Sequence, residues 1–424
     1  MTKWIADWRP DDQAFWASTG KKVARRNLIF SILAEHLGFT VWTLWSIVAA
    51  KMGNYSFTTD QLFWLVALPN LVGSALRLPY TFGPARFGGR NFTVVSALLL
   101  LIPAILLGVA VGNPGTPYWL FLVIAATAGF GGGNFASSMA NITYFYPQAR
   151  QGSALGLNAA GGNIGVSSVQ LVMPLVIGGL GLAAAGWFWV PFIVVAAVCA
   201  WLFMDNLTGA KASPREQIAV AGKAQTWIMS FLYIGTFGSF IGYSTAFPLL
   251  SKSLFPGSPW AAVAFVGPML GSLIRPIGGW LSDRMGGAPV TLWNFAAMGG
   301  GVGLVWLGVS SGNFWLFFLA FQLLFVTAGI GNGSTYRMIP AIFLATAPDA
   351  ATGKKQASAA IGIISAIGAF GGFLINRAFG MSFASTGSPA SALAAFALFY
   401  VACFALTWWC YVRAVGPSLA HARV

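Results

Sequence analysis

Twelve long apolar segments, separated by short polar gaps, run through the chain. A helix that crosses the hydrocarbon core of a bilayer needs about 20 mostly apolar residues. Charged residues make up only 8% of the chain, against about 25% in an ordinary soluble domain. We therefore predict an all-α membrane protein that is surrounded mainly by lipid. The predicted spans are roughly 28–50, 61–82, 92–112, 117–145, 152–178, 181–204, 226–250, 260–281, 288–310, 314–344, 357–379 and 389–413.

The longest polar gap divides these segments into six and six. It covers residues 205–225 and holds Lys211, Arg215 and Lys223 among its charged residues. We therefore predict an N-terminal six-helix bundle at 1–204, a linker at 205–225 and a C-terminal six-helix bundle at 226–424.

The two halves repeat one pattern of glycine and arginine. Gly73-Ser-Ala-Leu-Arg77 matches Gly271-Ser-Leu-Ile-Arg275, and a Gly-Gly pair follows each arginine by eleven residues. Two bundles related by pseudo-two-fold symmetry, with a substrate site near the middle of the membrane, are a known plan of secondary transporters. Glycines at matching positions further along the halves are Gly129, Gly131 and Gly133 with Gly329, Gly331 and Gly333, and Gly156, Gly162 and Gly165 with Gly362, Gly368 and Gly371.

The basic residues indicate an orientation. Lysine and arginine are in excess in loops that stay in the cytoplasm. One set of gaps holds only Lys51, Lys252 and Arg377. The linker and both termini lie with the richer set, so we predict that they are cytoplasmic in a multi-pass inner-membrane protein. The richer set is Lys21, Lys22, Arg25, Arg26, Arg86, Arg90, Arg150, Lys211, Arg215, Lys223, Arg284, Lys354, Lys355 and Arg413.

The remaining composition argues against several classes of protein. The formal net charge of +14 follows from the basic loops, so we expect no nucleic-acid partner. The three cysteines lie in apolar stretches without disulfide or metal-ligand spacing, and His36 and His421 are far apart in sequence. No nucleophile–base pair or phosphate-binding loop is visible, so we expect no enzymatic activity, metal or cofactor. A monomer is the default expectation for this fold.

Arg77 and Arg275 are the strongest candidates for ligand-binding residues. Each lies inside an apolar segment at the same position of the repeat. A charge there costs at least about 2.5–3.5 kcal/mol on insertion scales, which makes such residues rare. An anion bound by both would neutralise them, and the planar fork of arginine suits a flat oxyanion. The alternative is structural, with each arginine bonding backbone carbonyls.

Several motifs carry a family resemblance. The segment 278–287, Gly-Gly-Trp-Leu-Ser-Asp-Arg-Met-Gly-Gly, resembles the loop motif of the major facilitator superfamily, although its first-half copy, 82–90, lacks the aspartate. Over nearly its whole length the chain resembles the nitrate/nitrite porter (NarK-type) family of that superfamily. The segments that carry this resemblance include Asp7-Trp-Arg-Pro, Phe57-Thr-Thr-Asp-Gln-Leu-Phe, Gly133-Asn-Phe-Ala-Ser-Ser-Met-Ala-Asn-Ile and the glycine-rich 152–164 and 362–374.

The resemblance implies a nitrate site held by two arginines, which here are Arg77 and Arg275. It also implies two phenylalanine rings against the flat anion, matching Phe135 and Phe237. Because the face of an aromatic ring is negative, we assign to the rings the shape and dryness of the site and to the arginines its affinity. Tyr233, one turn before Phe237, and Asn163, which is expected to orient Arg77, complete the implied set.

Glu35 and His36 on the first apolar segment indicate that protons take part in transport. Burial favours the neutral form of a carboxyl group, and acidic residues inside the membrane commonly mark proton pathways. The resemblance places an acid here in the nitrate/proton symporter branch. We predict that Glu35 pairs with Arg337 until it is protonated, or else that the pair is permanent and structural. His36 either relays protons or makes a fixed polar contact.

Together these patterns predict a twelve-helix major facilitator that imports nitrate with protons by alternating access. Exchange of nitrate for nitrite is the alternative within the family. From other classes, a nitrate sensor would need a signalling domain, and saturable counterflow would exclude an anion channel. The expected partners are nitrate or nitrite, protons and the lipid bilayer.

Overall fold

A computed structural model of the chain describes residues 4–210, 214–413, 419 and 424. The basic linker residue Lys211 and also His421 lie outside this range. Twelve long helices follow the apolar segments. Their bounds are α1 Gln13–Lys51, α2 Thr59–Phe87, α3 Gly89–Ala110, α4 Tyr118–Phe145, α5 Gln148–Leu180, α6 Ala184–Phe203, α7 224–254, α8 Trp260–Met285, α9 Gly287–Ser310, α10 Phe314–Thr346, α11 Ala350–Thr386 and α12 Ala390–Val412.

Eleven of these helices, all but α7, are both long and apolar enough to cross a membrane among the described residues. Helix α7 is built from Ala224–Tyr233, a π-helical turn at Ile234–Gly238, and Ser239–Leu254. Its interior carries hydroxyl side chains such as Thr236, Ser239 and Ser244, which lower its hydropathy. The predicted all-α fold of a membrane protein is confirmed.

The first helix begins earlier than its apolar segment. The sequence predicts a start near residue 28, whereas α1 begins at Gln13 and includes a π-helical turn at Trp16–Gly20. Its early turns carry Lys21, Lys22 and Arg25. Hydropathy marks only the part of a helix that lipid surrounds, so it misses a polar extension that continues the same helix.

The described residues form two compact units. Unit 1 comprises Met1–Met52 and Leu68–Ser213, and unit 2 comprises Gly53–Ala67 and Pro214–Val424. The units differ from the predicted bundles in two places. Residues 53–67 belong with unit 2, and the predicted linker is divided, with 205–213 in unit 1 and 214–225 in unit 2. Within 53–67, the first turns of α2 contact α11. Asp60 accepts a 2.9 Å hydrogen bond from Arg377, and the Phe63 ring stacks 6.0 Å from that of Phe379.

Unit 1 ties the N-terminal segment to the residues after α6. Strand β1, Trp4–Ile5, pairs in parallel with strand β2, Asn206–Leu207. Beside it, Asp205 accepts hydrogen bonds from Arg26 at 2.6 Å and from Asn27 at 2.8 Å. The short helix Pro214–Ala221 follows in unit 2.

The glycine repeat has the same structural role in both units. Gly88 and Gly286, which precede α3 and α9, have φ values of +86° and +90°, a conformation that side chains other than glycine rarely adopt. In unit 1, a Cβ on Gly132 would lie 2.7 Å from the Gly73 Cα. In unit 2, a Cβ on Gly329 would lie 2.4 Å from the Gly271 carbonyl oxygen. These close crossings of α2 with α4 and of α8 with α10 place each arginine one turn beyond the contact.

Large apolar side chains cover much of the surface. Leu175, Trp119 and Val401 are 74%, 63% and 63% exposed. A soluble protein rarely presents such a surface over its whole extent, and lipid is the solvent that suits it.

Candidate functional site

Arg77 lies on α2 and is completely buried within unit 1. Its Nε donates a 3.2 Å hydrogen bond to the backbone carbonyl of Gly132 on α4. The guanidinium carbon lies 4.5 Å from the centroid of the Phe135 ring and 5.4 Å from that of Trp42. One edge of the cation is thus held by a carbonyl and its faces by aromatic rings, so the group has a fixed orientation.

Arg275 occupies the equivalent place on α8 in unit 2 and is 7% exposed. Its guanidinium carbon lies 5.3 Å from the centroid of the Tyr336 ring on α10. Among the residues that the structure describes, its Nη1 has no hydrogen-bond partner. A buried guanidinium with such an N–H donor is suited to donate a hydrogen bond to an oxygen of an anion.

The aromatic residues implied by the resemblance fall into both units. Phe135 lies beside Arg77. In unit 2, the Tyr233 and Phe237 rings are stacked with centroids 5.4 Å apart and planes 12° apart. Tyr233 also lies 6.2 Å from Tyr336, the ring next to Arg275. The π-helical turn Ile234–Gly238 carries Phe237, and π-helical turns are frequent at functional positions.

Asn163 on α5 was expected to orient Arg77. It is 1% exposed, and neither of its amide atoms has a hydrogen-bond partner in the described part of the chain. The Nε of Arg77 is instead held by the Gly132 carbonyl. The expected hydrogen bond to Arg77 is therefore absent in this conformation, and the orienting role of Asn163 stays a prediction.

Glu35 on α1 is completely buried. Its Oε2 accepts a 2.7 Å hydrogen bond from Nδ2 of Asn158 on α5. The same amide nitrogen lies 2.6 Å from Oγ of Ser138 on α4. Gly162 leaves room for the carboxyl group, because a Cβ there would lie 2.3 Å from Glu35 Oε1. Asn158, which donates to the carboxyl group, is a neutral polar residue.

The side chain of His36 contacts a different residue of α5 from the one that bonds Glu35. Its Nδ1 lies 3.0 Å from the carbonyl oxygen of Gly161, so the tautomer with a proton on Nδ1 donates there. This is the fixed polar contact that the sequence left open, and a relay role stays a prediction.

Arg337 on α10 has a carboxylate partner within unit 2. Its Nε donates to Oδ1 of Asp283 at 2.7 Å, and the two side chains are 34% and 63% exposed. Asp283 belongs to the loop motif 278–287. Arg337 is thus less buried than its apolar surroundings suggested. Its predicted pairing with Glu35 remains a prediction, which now requires that the bond to Asp283 be exchanged.

Known membrane transporters resemble this chain over most of its length. The model of the Major Facilitator Superfamily matches residues 28–375. The nitrate/nitrite transporter NarU of Escherichia coli is 45% identical, over 96% of each chain. A probable nitrate/nitrite antiporter of Thermus thermophilus, NarK2, is 37% identical over 97% of each chain. The chain belongs to the nitrate/nitrite porter family of the major facilitator superfamily.

The fold of this porter also resembles a solved structure. A bacterial homologue of the human lysosomal transporter Spinster superposes with a TM-score of 0.63, covering 95% of this chain and 99% of that one at 16% sequence identity. At this identity the likeness concerns the fold alone. Family and fold, both predicted from the motifs and the hydropathy, are confirmed, and the porter belongs to a family of transporters rather than enzymes.

Sequence reasoning missed three partners in this porter. Asn158 bonds Glu35, Tyr336 lies against Arg275, and Asp283 pairs with Arg337. The sequence does contain a signal for the packing position of Glu35 itself. The offset of 198 residues that relates Arg77 to Arg275 also relates Glu35 to Tyr233. A Cβ on Gly368 would lie 2.3 Å from the Tyr233 ring, as one on Gly162 would from Glu35.

Proposed function

We propose that this porter imports nitrate together with protons by alternating access, with Arg77 and Arg275 binding the anion and Glu35 carrying a proton. The observation that carries the nitrate part is the pair of buried arginines at equivalent positions of the repeat. Each is packed against aromatic rings, and Nη1 of Arg275 has no hydrogen-bond partner among the described residues. The similarity to the nitrate/nitrite transporter NarU supports the choice of anion.

The chemistry of nitrate suits these residues. The anion is flat and spreads its charge over three oxygens, so a guanidinium fork can donate two parallel hydrogen bonds to one edge. The rings of Phe135 and Phe237 exclude water and favour a flat occupant. The amide of Asn163 is buried and unpartnered among the described residues, so it has a free donor for a third oxygen.

The energetics of import favour coupling to protons. Moving one negative charge inward against an inside-negative potential costs about 2.3 kcal/mol per 100 mV. Co-transport with more than one proton converts that potential into a driving force. Glu35 is suited to bind one of them, because it is a completely buried carboxyl group that accepts a hydrogen bond from a neutral amide. We also propose that the termini and the linker face the cytoplasm.

Exchange of nitrate for nitrite is the second candidate. The 37% identity to a probable nitrate/nitrite antiporter favours it, and exchange of one monovalent anion for another moves no net charge. Under this alternative, the Glu35–Asn158 hydrogen bond only holds α1 against α5.

The deciding experiment uses the purified porter in proteoliposomes with a pH-sensitive dye inside. Nitrate uptake would be followed with buffer alone inside and an inward proton gradient imposed. We expect uptake accompanied by acidification of the interior. Uptake that begins only when nitrite is loaded inside, without acidification, would establish exchange and contradict the proton coupling. Uptake of chloride as fast as nitrate would contradict the nitrate site.

A further inference from the structure

A small polar cavity lies within unit 1 beside Glu35. Its volume is about 10 Å³, which is about enough for one water. Its wall is formed by α1, α3 and α4. The residues that matter here are Ser31, Glu35, Ser96, Asn134 and Ser138. We call this space the Asn134 cavity.

Asn134 is the unusual member of this wall. It is 3% exposed, and neither its Nδ2 nor its Oδ1 has a hydrogen-bond partner among the described residues. Both atoms would normally be bonded at such a depth, because an unpaired buried amide is costly. Gly38, three residues after Glu35, makes room for this side chain, since a Cβ there would lie 3.0 Å from Asn134 Nδ2. Asn134 and Glu35 thus belong to one face of the α1–α4 contact.

Three hydroxyl groups of the wall donate to backbone carbonyls, and those of Ser31 and Ser138 bond each other at 2.8 Å. Ser96 donates to the carbonyl of Thr93 at 3.2 Å, and Thr93 donates to the carbonyl of Gly89 at 2.8 Å. Ser137 donates to the carbonyl of Asn134 at 3.1 Å. These hydroxyl oxygens keep lone pairs to offer to an occupant of the cavity. Glu35 is the only titratable residue in the wall, and the neighbouring His36 faces Gly161 instead.

We propose that the Asn134 cavity holds one water that bonds Asn134 and Glu35 and passes the transported proton to and from the Glu35 carboxyl group. This rests on the proposed function, since it specifies the proton step of that function. An amide with two unmet ends needs one acceptor and one donor, and a single water supplies both. The water gains a proton on its oxygen from the incoming side as it gives one of its own protons to a Glu35 oxygen. It therefore stays a neutral water, and no other reactant is needed.

A bare monovalent cation fits this cavity less well than water. The carboxylate and the hydroxyl oxygens would coordinate it, and so would the Asn134 carbonyl oxygen. The amide Nδ2 would still lack an acceptor, however, and a cation beside it would be repelled. We therefore do not propose a sodium ion in the cavity, and the experiment must distinguish sodium binding from the water relay.

The test uses the full porter in proteoliposomes with the variants Asn134→Leu and Ser96→Val. The first removes both amide ends at similar volume, and the second fills the cavity from α3. We expect each variant to slow proton-driven nitrate uptake by about 10²-fold, the lower end for a positioned proton-transfer partner. Nitrate–nitrate exchange, which moves no proton, stays near the wild-type rate and shows that both variants fold.

Asn141→Leu is the matched control. Asn141 lies two turns further along α4, is also 3% exposed, and also has an Nδ2 without a partner among the described residues. It does not line the cavity, so its loss should leave proton-driven uptake unchanged.

The outcomes separate the two proposals. If the rate of wild-type uptake does not depend on the proton gradient, both the proposed proton coupling and the water relay are contradicted. If wild-type uptake is proton-driven and Asn134→Leu and Ser96→Val retain its rate, or if Asn141→Leu slows it equally, the relay alone is overturned. Wild-type uptake that requires sodium at fixed pH would assign the cavity to that ion and also overturn the relay. Density for one water between Asn134 and Glu35 in an experimental map would support it.

Discussion

The two units carry side chains of different chemical character at equivalent positions of the repeat. In unit 1, α1 meets α5 where Gly162 makes room for Glu35, and in unit 2, α7 meets α11 where Gly368 makes room for Tyr233. The next contact also matches, because Gly165 faces the carbonyl of His36 and Gly371 that of Ile234. The packing of the repeat has been kept while an acid stands in one unit and an aromatic ring in the other.

The arginines of the two units differ in a related way. Arg77 is completely buried, bonded to a carbonyl and packed against Phe135 and Trp42. Arg275 is slightly exposed and faces Tyr336, and its Nη1 has no hydrogen-bond partner in the part of the chain that the structure describes. These contacts hold the guanidinium of Arg77 more completely than that of Arg275, although both arginines remain proposed ligands of the anion.

The largest expected effect comes from replacing the acid of unit 1. Glu35→Gln keeps the size of the side chain but cannot release a proton. We expect proton-driven nitrate uptake to fall by about 10²-fold or more, as for loss of a proton-transfer group. Nitrate–nitrate exchange should persist, because a permanently neutral side chain resembles the protonated state. Both rates would be measured in proteoliposomes.

Tyr233→Phe at the equivalent position of unit 2 is the matched comparison. It removes a hydroxyl group but no titrating carboxyl, so the number of protons per nitrate should stay at the wild-type value even if nitrate binds more weakly. Glu35→Gln that still acidifies the interior during uptake would remove Glu35 from the proton path.

The second prediction concerns the arginines. Arg275→Lys loses the planar fork that can bond one edge of nitrate. Losing one hydrogen bond to a charged group costs about 1.5–3 kcal/mol, so the Kd for nitrate should rise about 10–150-fold. Arg77→Lys should weaken binding similarly and also lower thermal stability, because its contacts with Phe135 and Trp42 are worth about 0.5–2 kcal/mol.

Calorimetric titration with nitrate and thermal unfolding of the same samples would separate these effects. Equal stability losses in the two variants would contradict the difference drawn between the arginines. Wild-type affinity in both variants would exclude their role in binding.

The fold and the charged residues were accessible from the sequence for a simple reason. A charge in an apolar segment is conspicuous, so Arg77, Arg275 and Glu35 could be selected without knowing any contact. Phe135 and Phe237 are two among 35 phenylalanines, and only the family resemblance selected them. Tyr336 and the Asn134 cavity depend on which faces of the helices meet, and a linear pattern does not specify that.

The third prediction tests the glycines that define the comparison. Gly162→Ala and Gly368→Ala each bring a Cβ within 2.3 Å of an atom of Glu35 or Tyr233, and overpacking typically costs about 1–3 kcal/mol. Gly368→Ala should be the more damaging, because the Tyr233 ring is stiff and stacked on Phe237, whereas a carboxyl group can swing aside.

Thermal unfolding of the purified variants measures the difference. Gly156→Ala is the control on α5, since nothing lies within 4 Å of its Cβ. It should be neutral or stabilising, by up to about 1 kcal/mol from helix propensity. Shortening the acid, in Gly162→Ala with Glu35→Asp, should recover part of the loss. Equal losses at both glycines would contradict the expected difference between a stiff ring and a mobile carboxyl group. No recovery in the double variant would contradict the contact of residue 162 with Glu35.

The smallest expected effect concerns the ring beside Arg275. Tyr336→Leu removes an aromatic face worth about 0.5–2 kcal/mol to a nearby cation, so the Kd for nitrate should rise about 2–30-fold. Tyr336→Phe retains the face and should bind nitrate as the wild type does. If both variants weaken binding equally, the hydroxyl group and not the ring positions Arg275. If neither variant weakens binding, the guanidinium of Arg275 is positioned without Tyr336. Arg77 and Arg275 would then share their positions in the repeat, but not a dependence on an aromatic ring.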